Sequence, residues 1–196
     1  PNLMLYVALG SAVVNILSII DKTELLYFLL CFDRAAILQG QIWRLFTYPL
    51  TFTAGSFMLT AISLICYYSL GRAMENLWGT LRFNLFYLSG IVLMDIYCML
   101  FGGMADVYYL NMSLFLAYAT MYPDAQFLFL FIIPVKARIF ALLDLFLMVF
   151  GLLVYPFPIN LFPLVALANY FLFFGKDVVN IIPLSLRLKI RKGLRK

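Results

Sequence analysis

The sequence predicts an all-α membrane protein with six transmembrane helices. Of its 196 residues, 65% are hydrophobic and only 12% are charged. A soluble domain of this length needs more polar surface to cover its core, so the composition indicates that the bilayer is the solvent. No linker rich in Ser or Gly divides the chain. We therefore expect one transmembrane domain over residues 1–176, followed by a short basic tail over residues 177–196.

Six apolar runs are the basis of the span count, since a membrane-spanning helix needs about 20 mostly apolar residues. The run Leu3–Ile20 has no small-residue cleavage site after it, which favours a retained helix over a signal peptide. The run at 107–122 is shorter and contains Asn111 and Ser113, which indicates a helix surrounded by other helices. The remaining predicted spans are 57–76, 83–101, 139–155 and 161–174. A further apolar run at 127–133 stops at Pro134, a residue that ends or kinks a helix.

The segment 21–53 joins the first two predicted spans and differs from both. It contains several charged residues, yet it keeps an apolar run and aromatic residues that include Trp43 and Tyr48. Amphipathic rings prefer the membrane–water interface. We therefore predict a structured first outer loop that lies in this interface.

The positions of Lys and Arg predict the orientation of the chain. With the carboxyl end in the cytoplasm, only Lys22, Arg34 and Arg44 fall outside, and the other eleven of the 14 basic residues fall inside. Positive charge marks the cytoplasmic side of a membrane protein. The prediction is a multi-pass protein of the cell membrane with both termini in the cytoplasm.

The basic carboxyl-terminal segment 181–196 alternates Leu or Ile with Ser, Lys or Arg. It is suited to lie along the inner membrane surface, where basic residues attract anionic lipid. The interpretation that we favour is an ordinary stop-transfer flank that fixes the topology. Because this charge is confined to one membrane-proximal end, nucleic-acid binding is not predicted.

The three cysteines, Cys31, Cys66 and Cys98, are widely spaced among apolar residues, and the chain contains no histidine. Neither a disulfide framework nor a metal site is predicted from this pattern, and buried free thiols are the preferred interpretation. No cofactor is predicted.

Two motifs carry more information than the composition. Trp43 and Arg44 stand late in the first outer loop, and Gly71, Glu75 and Gly79 recur at intervals of four residues. This spacing places all three on one face of a helix. Glycines there allow a second helix to approach closely. A carboxylate between them must be hydrogen-bonded, neutralised or paired, and Arg72 and loop backbone are its candidate partners.

Together with their surroundings, these motifs resemble the rhomboid superfamily of intramembrane proteases and their inactive relatives. The resemblance extends through Gly71-Arg-Ala-Met-Glu75-Asn-Leu-Trp78-Gly79-Thr80, Arg82-Phe83, Tyr87-Leu-Ser-Gly90, Met121-Tyr-Pro-Asp-Ala-Gln126 and Ile133-Pro-Val-Lys136. It covers nearly the whole chain and looks most like bacterial members that have lost catalysis. It implies a six-helix bundle whose first outer loop is partly sunk into the bilayer.

The resemblance also implies where catalytic residues would stand. Active rhomboids use a Ser in a Gly-x-Ser-Gly context on the fourth helix, a His on the sixth, and a His and an Asn on the second. In this chain, the nucleophile position falls at about Tyr108 and the oxyanion positions at about Leu59 and Ser63. The sixth helix offers Asn160 and Asn169 instead of a histidine. The prediction is a pseudoprotease without catalytic residues.

Three alternatives to this prediction stay open. Ser113 is the nearest serine to the nucleophile position, but a hydroxyl needs an adjacent base to become a nucleophile. Asp95 and Asp144 lie within predicted spans, where carboxylates often form ion or proton sites in channels and carriers. Each is also suited to be a neutral group hydrogen-bonded across helices. The third alternative is a fold that organises lipid and binds no client protein.

The predicted function is therefore non-catalytic binding of other proteins' transmembrane segments, in quality control or trafficking. Asn111 and Ser113 on the fourth helix are the candidate client-binding residues. Pro156, Pro158 and the loop at 51–56 are expected to permit a side opening between the second and fifth helices. Short helices and a sunken loop would also thin the local bilayer. The expected partners are membrane lipids and client helices, and the sequence leaves the oligomeric state open.

Overall fold

A computed structural model describes residues 2–21, 25–52, 55–129 and 133–181 of the chain. Six long helices lie at the six predicted apolar runs, and their ends differ from the prediction by up to seven residues. They are α1 (Leu3–Asp21), α5 (Phe57–Trp78), α6 (Thr80–Phe101), α7 (Tyr108–Met121), α8 (Ala137–Val154) and α9 (Phe162–Ile181).

Four of these helices, α1, α5, α6 and α8, are long and apolar enough to cross a membrane. Helix α7 has only 14 residues, a length of about 21 Å at the usual rise per residue. The apolar part of the α9 region, Ile159–Gly175, is also shorter than the four. The described residues therefore form a helical protein with four candidate membrane spans.

Helix α7 lies at the centre of the bundle and packs against α5, α6, α8 and α9. Seven of its residues are buried, although its sequence is less apolar than those of α8 and α9. The main hydrophobic core is formed around it by large side chains with no exposed surface: Phe83, Phe86, Tyr87, Leu114 and Phe174. Burial of α7 by neighbouring helices agrees with the expectation from its short, partly polar sequence.

A single residue, Gly79, joins α5 to α6. Its φ of 80° lies in the left-handed region that favours glycine, and its N–H donates to the carbonyl oxygen of Glu75. At the other end of α5, the hydroxyl oxygen of Ser56 accepts from the N–H of Leu59 and caps the helix. These two local features fix both ends of α5.

The first outer loop is folded into short helices. They are α2 (Leu25–Leu30), α3 (Arg34–Leu38) and α4 (Arg44–Thr47), followed by a 3₁₀ turn at Tyr48–Thr51. Asp33 caps α3 by accepting from the N–H groups of Ala35 and Ala36. The prediction of a structured loop is confirmed.

The described residues are mostly helical, as predicted, and a small β-hairpin is an element that the prediction did not include. Strands β1 (Gln126–Phe129) and β2 (Ile133–Lys136) are antiparallel, with Gln126 opposite Lys136. The run at 127–133 therefore contributes to two strands, and Pro134 lies in β2 rather than at the end of a helix. Beside the hairpin, Asp124 accepts from Lys136 at 3.0 Å, and this bond holds the pKa of Asp124 below its usual range.

The boundary predicted at residue 176 falls inside α9, which continues to Ile181. Residues 182–196, which form most of the predicted amphipathic tail, lie outside the described residues.

Candidate functional site

The side of α7 between α5 and α8 is the most distinctive feature of the bundle. Both helices pack against α7, yet they barely touch each other. We call this side the α5–α8 seam, defined by Tyr67 on α5, Tyr108 and Asn111 on α7, and Asp144 on α8. It corresponds to the pair of helices between which the sequence predicts a side opening.

Two contacts fix how α7 and α8 are aligned at the seam. Phe115 and Phe140 meet edge to face with ring centroids 6.3 Å apart, and Met112 and Met148 share a small buried cluster. Because the two helices run in opposite directions, residue numbers fall along one as they rise along the other. Asp144 stands between residues 140 and 148 and is therefore level with the first half of α7.

Two buried oxygen atoms at this level have no hydrogen-bond partner within the described part of the chain. They are Oδ1 of Asn111 and Oδ2 of Asp144, in side chains that are 3% and 8% exposed. The hydroxyl groups of Tyr67 and Tyr108 are close enough to Asp144 to interact with it electrostatically. Buried polar atoms of folded proteins are almost always hydrogen-bonded, so two at one level call for an explanation.

Ser113 is fully buried, and its hydroxyl donates to the carbonyl oxygen of Leu110 in the preceding turn, at 2.7 Å. This bond is within α7 itself, as is common for serines inside helices. Of the two predicted client-binding residues, Ser113 is thus already hydrogen-bonded. Asn111 retains an unused acceptor.

The three positions that the resemblance assigns to lost catalytic residues lie on two helices. Tyr108 is the first residue of α7 and is 42% exposed, next to Asp106, which accepts from its N–H at 3.0 Å. Leu59 is exposed in the first turn of α5, and Ser63 is half-buried one turn later. The exposed, apolar side chain of Leu59 has no hydrogen-bond donor that would stabilise an oxyanion.

The Trp43–Arg44 motif holds the first outer loop together. The buried guanidinium of Arg44 donates to the carbonyl oxygens of Phe28 at 2.6 Å and Cys31 at 2.8 Å. Its Nε donates to Oε1 of Gln41 at 2.7 Å. Trp43 is half-exposed, and its ring N–H is 3.4 Å from the carbonyl oxygen of Leu29. The motif therefore ties α2 to α4.

The Gly71–Glu75–Gly79 motif serves helix packing and termination. A Cβ on Gly71 would lie 2.5 Å from Cγ of Met4, so the glycine permits the close approach of α1 to α5. Glu75 accepts from the N–H of Asn2 at 3.1 Å and from the hydroxyl of Thr80 at 2.8 Å. Of the two kinds of partner predicted for Glu75, the structure shows a backbone group, the N–H of Asn2. Arg72 instead donates to the side chain of Asn2.

A polar contact between α6 and α9 has no counterpart among the candidate residues predicted from the sequence. Asn169 is fully buried; its amide donates to the carbonyl oxygen of Phe86 at 3.0 Å and accepts from the hydroxyl of Ser89 at 2.8 Å. Gly90 makes room for it, since a Cβ there would lie 2.9 Å from Nδ2 of Asn169. In the sequence, the Ser89–Gly90 pair was the available signal of a close polar contact between helices, but it does not identify the partner helix.

Asp95 lies away from the seam. It is half-buried on α6, near Tyr48 of the first outer loop and Cys98 of its own helix. Helices α6 and α8 share little contact. The two carboxylates within predicted spans, Asp95 and Asp144, are therefore on different sides of the bundle.

Comparisons of the chain with known protein families, with characterised proteins and with solved structures find no match. The function is accordingly inferred from the arrangement of the side chains themselves.

Proposed function

We propose that the protein is a rhomboid-like pseudoprotease that binds transmembrane helices of client proteins without cleaving them. In this proposal all six long helices lie in the cell membrane, α7 and α9 included, and both termini are cytoplasmic. The first outer loop lies at the membrane interface. Binding of this kind serves quality control or trafficking of membrane proteins.

The observation that carries the proposal is the α5–α8 seam. The central helix α7 bears buried polar groups, and its neighbours α5 and α8 barely touch each other. Lipid has no hydrogen-bonding groups in its hydrocarbon core, so polar residues beside this weak contact are complementary to a polar residue on another helix. A client helix docked at the seam would meet α7 directly.

The absence of cleavage is supported by the chemistry of the available groups. The chain contains no histidine, and the hydroxyl of Ser113 donates to a carbonyl of its own helix. A serine becomes a good nucleophile only when a base receives its proton. Loss of the general base typically costs a factor of about 10² to 10⁴ in rate.

A deformed bilayer is the second part of the proposal. Helix α7 is about 21 Å long, whereas the hydrocarbon core of a bilayer is about 30 Å thick. A bundle with a short central helix and an interfacial loop favours thinner lipid around it. Thinner lipid beside the seam would ease the entry of client helices that carry polar residues.

A channel or proton-coupled carrier is a less favoured function. Such a protein needs its ionisable groups along one continuous path. Asp144 is at the seam, whereas Asp95 is on α6 near the first outer loop, and their two helices share little contact. We therefore retain the client-binding proposal.

Site-specific photocrosslinking in the native membrane tests the proposal. A photoreactive amino acid at Tyr108, exposed at the start of α7, should capture a small set of transmembrane proteins. The same amino acid at Leu85, which is 53% exposed on α6, is the matched control and should capture lipid and chance neighbours only. An activity-based serine probe applied to the same sample should leave the protein unlabelled.

Two results would contradict the proposal. Identical capture from Tyr108 and Leu85 would mean that the seam has no special affinity for helices. Probe labelling that disappears in Ser113→Ala would show that Ser113 is an active nucleophile and that the protein is a protease.

A further inference from the structure

We propose that the α5–α8 seam selects client helices that carry a lysine or arginine near the middle of their span. The inference rests on the proposed client-binding function and specifies which helices are bound. It is drawn from Asn111 and Asp144.

Both unpartnered atoms at the seam are hydrogen-bond acceptors. Oδ1 of Asn111 is an amide oxygen, and Oδ2 of Asp144 belongs to a carboxyl group. While Asp144 is ionised, these two acceptor atoms cannot satisfy each other, so their missing partner is a donor. Lysine presents three N–H donors and arginine five, and neither has an acceptor.

Charge points to the same partner. The ion pairs among the described residues, Asp124 with Lys136 and with Arg138, lie at the hairpin and the first turn of α8, and neither involves Asp144. The groups of α5 and α7 that interact electrostatically with Asp144 are Tyr67 and Tyr108, which carry no positive charge. An unpaired carboxylate and an unpaired ammonium are each costly in lipid, and the cost falls for both when they pair.

The depth of the seam sets where the basic residue stands. Asp144 is close to the midpoint of α8 (Ala137–Val154) and level with the first half of α7. A straight client helix beside α8 brings the middle of its own span to the same depth. Asn111 and Asp144 are only 3% and 8% exposed, so a client helix would reach them by separating α5 from α8, which barely touch.

The test measures binding of three single-span peptides to the full chain in liposomes by energy transfer between attached dyes. The peptides share a Leu/Ala span and differ only at the central residue, which is Lys, Leu or Glu. We expect the Lys peptide to bind about 3- to 30-fold more tightly than the Leu peptide, the range for a polar contact between membrane helices. The Glu peptide should bind no better than the Leu peptide, because it brings a like charge to Asp144.

Three variants locate the preference. Asp144→Asn keeps the shape of the side chain, and Asn111→Leu removes the second acceptor at similar volume; both should lose most of the preference for Lys. Asp95→Asn is the matched control, since it neutralises the other intramembrane carboxylate, away from the seam. It should keep the full preference. Thermal unfolding in detergent verifies that each variant is folded. If one of the two seam variants does not fold, the other still tests the preference for Lys.

The outcomes separate this inference from the proposed function. Equal binding of all three peptides would overturn the selection of basic helices while client binding itself survives. A preference for Lys that persists in both Asp144→Asn and Asn111→Leu would overturn the assignment to the seam. No binding of any peptide would overturn both proposals.

Discussion

The guanidinium of Arg44 illustrates how one residue organises the first outer loop. It is buried, and it donates to the carbonyl oxygens of Phe28 and Cys31, at the end of α2 and just beyond it. Carbonyls at the end of a helix have no partner within the helix, and a cation there also offsets the helix dipole. The motif was visible in the sequence, but its partners, 16 and 13 residues away, were not.

Replacing Arg44 should destabilise the protein. Because Arg44→Met leaves these two carbonyl oxygens without a donor, we expect the free energy of unfolding to fall by about 2–3 kcal/mol. The measurement is unfolding in mixed detergent micelles. Arg34→Met is the control, since Arg34 is exposed on the same loop and its loss should change the stability by less than about 0.5 kcal/mol. Equal stabilities of the two variants would show that Arg44 does not hold the loop.

Single polar residues divide into those that the sequence identified and those that it could not. Asn111 was singled out because it interrupts an apolar run, and the structure shows that its oxygen is unpartnered. Asn169 was noted only because the sixth helix has no histidine, and its hydrogen bonds were not predicted. These bonds join it to Phe86 and Ser89, about 80 residues earlier in the sequence. Such pairings depend on which helices become neighbours, and periodicity within one helix does not contain that information.

At the scale of elements, α1 packs on α5 through Gly71. A Cβ at this position would lie 2.5 Å from Cγ and 2.9 Å from Cβ of Met4. Atoms so close to the backbone of α1 have little freedom to move aside.

Gly71→Ala should therefore push α1 away from α5 and lower the free energy of unfolding by about 1–3 kcal/mol. Gly175→Ala, on α9, is the matched control because nothing lies within 4 Å of its added Cβ, and a helical Gly→Ala change is otherwise favourable. Adding Met4→Ala to Gly71→Ala should cost less than the sum of the two single changes. Strict additivity would mean that these two residues do not meet.

The elements that the sequence predicted were the long apolar helices, and the element that it missed was the β-hairpin. A short apolar run such as 127–133 is compatible with a strand or with part of a helix. Pro134 was interpreted as the end or kink of a helix, whereas the structure pairs Phe127 with Val135 in an antiparallel hairpin. The short helices of the first loop escaped for a similar reason, since four to six residues carry too little periodicity.

The whole molecule has an orientation that its basic residues predict. The first outer loop should lie outside the cell, and the turn with the β-hairpin should lie in the cytoplasm. The span count predicted from the sequence requires α7 and α9 to cross as well, although only four helices meet the length and apolarity of a span. The length and hydropathy of an apolar run do not show whether neighbouring helices separate a shorter helix from the lipid.

Cysteine labelling tests this orientation. In a chain whose three native cysteines are replaced by alanine, Gln39→Cys on the first outer loop should react with a membrane-impermeant maleimide in intact cells. Gln126→Cys at the start of β1 should react only after the membrane is opened; both positions are exposed. The reverse pattern would invert the topology, and labelling of both from outside would mean that an even number of spans, rather than three, lies between them.

The one-residue connection at Gly79 has a consequence for the biosynthesis of the protein. Helices α5 and α6 have 22 residues each, and only Gly79 lies between them. This connection is too short for one helix to enter the membrane while the other stays in the cytoplasm. The carboxyl end of α5 and the amino end of α6 must remain at the same membrane surface throughout insertion. The insertion machinery therefore has to accept the two helices as one hairpin, and the orientation of either dictates that of the other.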